Sequence, residues 1–275
     1  MDPYLTAYDA VLARWPVPVE RIDLAGRFGT TRVNACGDPD APPLVLLHGG
    51  GATSTVWFAN VGALAATHRV YAIDLLTDGG RGSYDGDKVT GLADLMEWLG
   101  ATLDGLGVRQ TGLVGHSYGA WIALRFALHS PQRVSGLALL DPTKCFCGQS
   151  ARYALRGARA LLGSPARMRE FLAWEAGGRT IDPGWLEVMA GRPGGRTGLV
   201  WPKRPDPAVL RALPTRTLVL LAERSRHHDV AAAAQGARLL PDVEVVVIPG
   251  ATHHTMPTED ADALNAELTR FFAPA

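Results

Sequence analysis

The chain is poor in cysteine and lysine, carries no net charge and has no long apolar run. Each shortage closes off a class of protein. Its three cysteines, Cys36, Cys145 and Cys147, are an odd number without framework spacing, which argues against a secreted fold held by disulfides. Cys145-Phe146-Cys147 has no second paired half, so no metal site is expected there, and no cofactor is called for. The 27 lysines and arginines balance the 27 aspartates and glutamates. No whole-molecule field therefore draws in nucleic acid or an anionic membrane. No uninterrupted apolar stretch reaches bilayer-spanning length. Met1-Asp2-Pro3-Tyr4 has neither the basic start nor the apolar core of a signal peptide. These absences lead to the expectation of a cytoplasmic protein acting on a small molecule.

What is plentiful is apolar surface and glycine: 47% of residues are hydrophobic and 31 are glycine. A chain of 275 residues with that fraction can bury a sizeable core, as one large domain or a core with an insertion. A short helix is expected over residues 4–14, then an antiparallel hairpin (21–25 and 31–35) around Gly26 and Gly29. Residues 44–47 form a continuous apolar run of the kind a buried parallel strand shows. Strands are expected at 70–73, 113–114, 134–140, 217–221 and 243–248. Helices are expected at 89–106, after Ser117, at 230–240 and at 259–272. Repeated β-α-β units predict a mostly parallel twisted sheet with helices on both faces, and ligands beyond the carboxyl ends of its strands.

Residues 144–213 break the rhythm. They lack strand patterns and hold helical pieces at 151–162, 165–176 and 183–190, with the loosest link at 191–198; such a length is too great for an ordinary connection. The expected organisation is a core of residues 1–143 and 214–275 with a helical lid over residues 144–213. Phe146, Trp174, Trp185 and Trp201 are candidates to line a pocket under that lid, with burial inside the lid as the alternative.

The chemistry gathers at the carboxyl edge. Gly115-His116-Ser117-Tyr118-Gly119 sits between a strand and a helix, the nucleophile-elbow arrangement in which glycines permit close packing and the turn lifts the serine hydroxyl above the sheet. The helix N-terminus there tolerates negative charge. His48-Gly49-Gly50-Gly51 follows the 44–47 strand, and a glycine run there can turn backbone N–H groups toward an anion. In acyl transfer that anion is the tetrahedral oxyanion, with the Tyr118 amide as the second donor. A merely tight turn is the alternative, and His48 is read as bracing the loop. Because the order for this elbow is serine, acid, histidine, the general base is sought after the last strand, where His253 is preferred and His254 is its rival.

Together with Pro249-Gly250-Ala251-Thr252-His253, these two motifs resemble the α/β-hydrolase superfamily over residues 20–272. The Thr53-Ser54-Thr55-Val56-Trp57 stretch is similar to bacterial carboxylesterase-like members with a helical cap. The resemblance implies that Gly50 supplies the first oxyanion amide. It also implies an acid after the penultimate strand, where this chain reads Ala222-Glu223-Arg224-Ser225. Serine stands at the expected carboxylate and cannot balance an imidazolium. Asp141, Glu223 and Asp229 are the substitutes, Asp141 preferred, with a triad lacking any acid as the alternative. Asp141 could equally form an Asp-Pro turn and Asp229 could cap the next helix. Asp74 and Asp78 are read as turn residues, and Arg224, Arg226, His227 and His228 as a solvated basic cluster, with contact to an anionic substrate group as the alternative.

The expected activity is that of a serine hydrolase on a small to medium ester, lactone or thioester. The vacancy at 225 keeps open a lyase, cyclase or acyltransferase on the same fold, and a ligand-binding receptor is the third reading.

Overall fold

The computed structural model describes residues 2–76, 78–192 and 200–273. Eight strands form one sheet in the order β1-β2-β4-β3-β5-β6-β7-β8. The strands are β1 (Glu20–Gly26), β2 (Gly29–Cys36), β3 (Pro43–Leu47), β4 (Arg69–Ile73), β5 (Thr111–His116), β6 (Val134–Leu140), β7 (Thr217–Ala222) and β8 (Val243–Ile248). The hairpin β1–β2 and the β2–β4 pair are antiparallel, and all other pairs are parallel. Continuous apolar runs produce this: Leu44 to Leu47 and Leu218 to Ala222 are wholly buried, as strands covered on both faces must be.

The helices are α1 (Pro3–Leu12), α2 (Val61–Leu64), α3 (Leu92–Gly105), α4 (Tyr118–His129), α5 (Ala151–Leu161), α6 (Pro165–Ala176), α7 (Pro183–Gly191), α8 (Pro207–Arg211), α9 (Val230–Ala237) and α10 (Ala261–Phe271). One apolar cluster takes Leu95, Leu99 and Leu103 of α3 and Trp121 and Phe126 of α4 against one face of the sheet. A second takes Leu264 and Leu268 of α10 and Trp57 against the other, and continues upward to Phe171, Trp185 and Met189. Truncating a fully buried tryptophan such as Trp121 should cost about 3–5 kcal/mol. No helix among the described residues is long and apolar enough to cross a membrane.

Helices α5 to α8 all fall between β6 and β7. Helix α8, which the sequence pattern did not reveal, starts on the Asp206 cap and Pro207. Most of the link expected at 191–198 lies outside the described residues. Helix α1 packs on α7 through Tyr4, Val11 and Val188, and Arg14 forks onto Asp182 at 2.7 and 2.8 Å.

Candidate active site

Strand β5 delivers Ser117 in a strained turn with φ 55°. Two glycines make that turn possible by close approach: a Cβ on Gly115 would stand 2.4 Å from the Gly119 carbonyl oxygen, and one on Gly119 would stand 2.4 Å from that of Leu47. The Ser117 amide donates to the Leu140 carbonyl at 2.9 Å, and its own carbonyl accepts from Trp121 and Thr143. The hydroxyl is thereby fixed at the start of α4, over the sheet's carboxyl edge.

His253 reaches it from the loop after β8, with Nε2 2.8 Å from Ser117 Oγ. The other ring nitrogen, Nδ1, is 2.6 Å from Asp141 Oδ2. All three residues are buried. Asp141 directly follows β6, also with positive φ (40°). Its Oδ1 accepts from the Ala222 amide at 3.1 Å, and its Oδ2 accepts from the Ser225 hydroxyl at 2.7 Å. The serine at the position where a carboxylate was expected thus donates to the carboxylate one strand away. Burial opposes charge on Asp141, yet His228 and His253 hold its carboxyl well below the usual range.

The other two carboxylates go elsewhere. Glu223 is exposed and accepts from the Gly250 amide at 2.7 Å. Asp229 caps α9 through the Ala232 amide at 2.8 Å. His254 lines the same cavity as Ser117 but meets the Tyr153 hydroxyl, at 3.0 Å.

Gly50 lines the cavity beside Ser117 and Tyr118. The glycine loop is braced from behind. His48 donates from Nδ1 to the Gly49 carbonyl at 2.8 Å and accepts the Leu75 amide at Nε2, 2.9 Å away. Asp78 accepts the Gly51 amide at 3.1 Å. Asp74 takes the Ser54 amide and hydroxyl, the Tyr8 hydroxyl and the Arg81 amide.

The histidines of the 224–228 cluster are not solvated. His227 and His228 are buried, while Arg224 and Arg226 remain outside. Their loop turns the two rings inward because Asp141 and the Thr143 hydroxyl offer partners there. His227 stacks on His253 with 4.5 Å between centroids and a 7° tilt. Its Nε2 lies 3.1 Å from Thr143 Oγ1, which in turn lies 3.1 Å from Ser117 Oγ. His228 Nε2 lies 3.2 Å from Asp141 Oδ1. Burial lowers the pKa of His116 to about 3, and pushes His227 and His254 well below the usual imidazole value. Asp141, His227 and His228 place ligand-type atoms within 4.8 Å of one another. The two imidazoles are bonded Nδ1 to Nδ1 at 3.0 Å, and Asp141 is bonded to His253, so the donors are already engaged.

A cavity of about 140 Å³ opens at Ser117. Its apolar wall comes from α5 to α7 and beyond: Leu161, Met168, Phe171, Met189 and Trp201, with Thr143, Lys144, Gln149 and Tyr153 as polar members. Of the four aromatics expected there, Trp201 is at the wall and largely exposed, at 72%. The other three need correction. Phe146 is core, packed against Gly236 of α9. Trp185 is buried behind His254, 6.1 Å from its ring. Trp174 lies on the outer face under Arg152, Arg156 and Arg226. Thr143, Tyr153 and Glu175 were not foreseen from the sequence, and His227 was placed in solvent; Thr143, two residues after Asp141, had a positional signal.

A model of the alpha/beta hydrolase family matches residues 44–267. The chain belongs to that family. It is 30% identical to the uncharacterized carboxylesterase nap of Bacillus subtilis, over 98% of this chain and 92% of that one. It is 27% identical to carboxylesterase YbfK of the same organism, over 98% and 93%. Among solved structures, naproxen esterase (carboxylesterase NP) from Bacillus subtilis superposes with a TM-score of 0.91 at 28% identity, covering 98% of this chain and 97% of that one.

Proposed function

We propose that the chain is a serine hydrolase of the carboxylesterase type, with Ser117 as nucleophile, His253 as general base and Asp141 as the acid. The observation that carries this is the unbroken run Ser117 Oγ–His253 Nε2 (2.8 Å) and His253 Nδ1–Asp141 Oδ2 (2.6 Å). The esterase names of its relatives agree with it. Ser117 Oγ attacks the carbonyl carbon as its proton passes to His253. The charge left on the carbonyl oxygen is met by the amides of Gly50 and Tyr118. The imidazolium then protonates the leaving alcohol, and water activated by the same histidine releases the acid from Ser117.

Asp141 holds the Nδ1–H tautomer and balances the imidazolium. With an acid in reach of His253, the vacancy at 225 no longer favours a non-hydrolytic reaction. Helices α5 to α8 act as the lid over the site. The largely apolar cavity favours a small to medium acyl or alcohol group, on an ester, lactone or thioester. Fluorophosphonate labelling tests the nucleophile: one adduct, at Ser117, is expected, and an adduct surviving in Ser117→Ala contradicts it. Turnover in 18O-water should place one solvent oxygen in the acid product, which neither a lyase nor an acyltransferase requires.

A further inference from the structure

We propose that Glu175, near the end of α6, is a positioning residue for His253: its carboxylate grips the histidine's own backbone and sets a second buried negative charge beside the imidazole. The inference rests on the serine-hydrolase reading above.

Glu175 is fully buried. Its Oε1 accepts the His253 amide at 2.9 Å, while Oε2 accepts the Thr252 hydroxyl at 2.9 Å and the His254 amide at 3.1 Å. Both oxygens therefore meet donors, the pattern that suits the ionised form. Burial pushes its pKa up, while His253 and these donors pull it back. A loop that needed only anchoring would be served by a neutral acceptor; a buried anion is the costly choice, tolerable where a partner of opposite charge forms. That partner is the His253 imidazolium of the reaction.

The same segment grips the loop a second time. Arg179 donates to the Gly250 carbonyl (3.0 Å), to Thr255 Oγ1 (2.9 Å) and to both oxygens of Asp260 (2.7 Å each). The histidine loop is thus set by the helical segment above the site as much as by β8 beneath it.

The groups facing His253 come from every neighbouring element. Ser117 and His116 come from the elbow, Asp141 from the end of β6, His227 from the loop after β7, and His254 from its own loop. Tyr153 of α5 and Glu175 of α6 complete the set. His228 bears on Asp141 rather than on His253 itself. Burial keeps His116, His227 and His254 neutral. The negative charges near the imidazole are therefore Asp141 and Glu175. Removing one makes the imidazolium easier to deprotonate, so the rising limb of kcat/KM against pH must move to lower pH.

The test is the pH profile of short p-nitrophenyl ester hydrolysis in Glu175→Gln, Glu175→Asp, Arg179→Gln and Ser117→Ala. Glu175→Gln should lower kcat about tenfold with KM within roughly threefold, and move the rising limb down by about half a pH unit or more. Glu175→Asp keeps the charge and loses reach: kcat should fall while the limb stays. Arg179→Gln removes a cation that grips the same loop, so its limb must not move down. An unmoved limb in folded Glu175→Gln, or an equal downward shift in Arg179→Gln, overturns the proposal. If Glu175→Gln does not fold, Glu175→Asp decides, an intact kcat or a displaced limb counting against it. Turnover surviving in Ser117→Ala would bring down the serine reading and this inference together. Turnover lost there with the Glu175→Gln limb unmoved brings down this inference alone.

Discussion

At the carboxyl edge of the sheet, reactive groups are fixed at short range, by backbone turns and by buried side chains. Ser117 is set by a positive-φ turn, Asp141 by the Ala222 amide, and the Gly49–Gly51 loop by His48 and Asp78. Residues 144–213 work the other way. They hold twelve of the 27 lysines and arginines but only five of the 27 aspartates and glutamates. Much of that charge sits on exposed arginines such as Arg152, Arg156, Arg159 and Arg167. A chain neutral overall is therefore a basic helical segment on an acidic frame. Apart from the buried grip of Glu175 and Arg179 on the histidine loop, the difference separates chemistry from access: the edge is preorganised and insensitive to salt, while the field of the segment's exposed arginines acts over a Debye length and is screened by it.

That contrast can be broken at its strongest point first. Ser117→Ala should remove nearly all ester turnover, a loss on the order of 10⁶ in kcat, read by p-nitrophenol release at saturating substrate. Reversing Arg152 and Arg156 to glutamate should leave kcat on a neutral ester within about twofold. A large loss there would erase the distinction between the two regions.

Thr143→Val tests a finer part of the edge. It removes the hydroxyl between Ser117 and His227, and one hydrogen bond of about 1 kcal/mol corresponds to roughly a fivefold fall in kcat. A variant as fast as wild type would make that hydroxyl a bystander.

The buried imidazoles predict how stability follows pH. His116, His227 and His254 have lowered pKa values in the fold. The unfolded chain binds protons below about pH 6.5 that the native state refuses, so stability is full above that pH and declines below it. The melting temperature should drop steadily from pH 7 to pH 5, and more shallowly in His227→Gln. A flat profile would mean that these rings are not held neutral.

The smallest effect concerns salt. Lys144 lines the cavity beside Thr143, within the basic segment. For an ester bearing a carboxylate, kcat/KM should fall about two- to fivefold between low and 0.2 M salt, with a neutral ester unchanged. Equal responses of the two esters would assign no steering to the segment.

The legible parts of the molecule are those where one local pattern has one physical cause. Leu44 to Leu47 reads as a buried strand because few other structures accept an uninterrupted apolar run bounded by turns. Gly115 and Gly119 announce the elbow because no larger residue fits there. Asp141 was harder, since Asp-Pro also marks a turn, and its partner Ser225 lies 84 positions away. His227 and His228 were misread because flanking arginines imply solvent, while the inward turn is dictated by Asp141 and Thr143. Trp174 and Trp185 were misassigned because short helices without a known partner do not say which face meets the cavity, and Phe146 because its place in the link before α5 does not show that it packs on Gly236 of α9. Glu175 left no trace, its partner His253 being 78 positions away.

The most direct test is kcat/KM of Asp141→Asn, beside Glu223→Gln and Asp229→Asn, on a short p-nitrophenyl ester. An amide at 141 cannot hold the Nδ1–H tautomer of His253 and balance the imidazolium. Asp141→Asn should therefore lose a factor of about 10³–10⁴, and the other two should change within about threefold. An active Asp141→Asn enzyme, or a greater loss in Glu223→Gln, would contradict Asp141 as the acid.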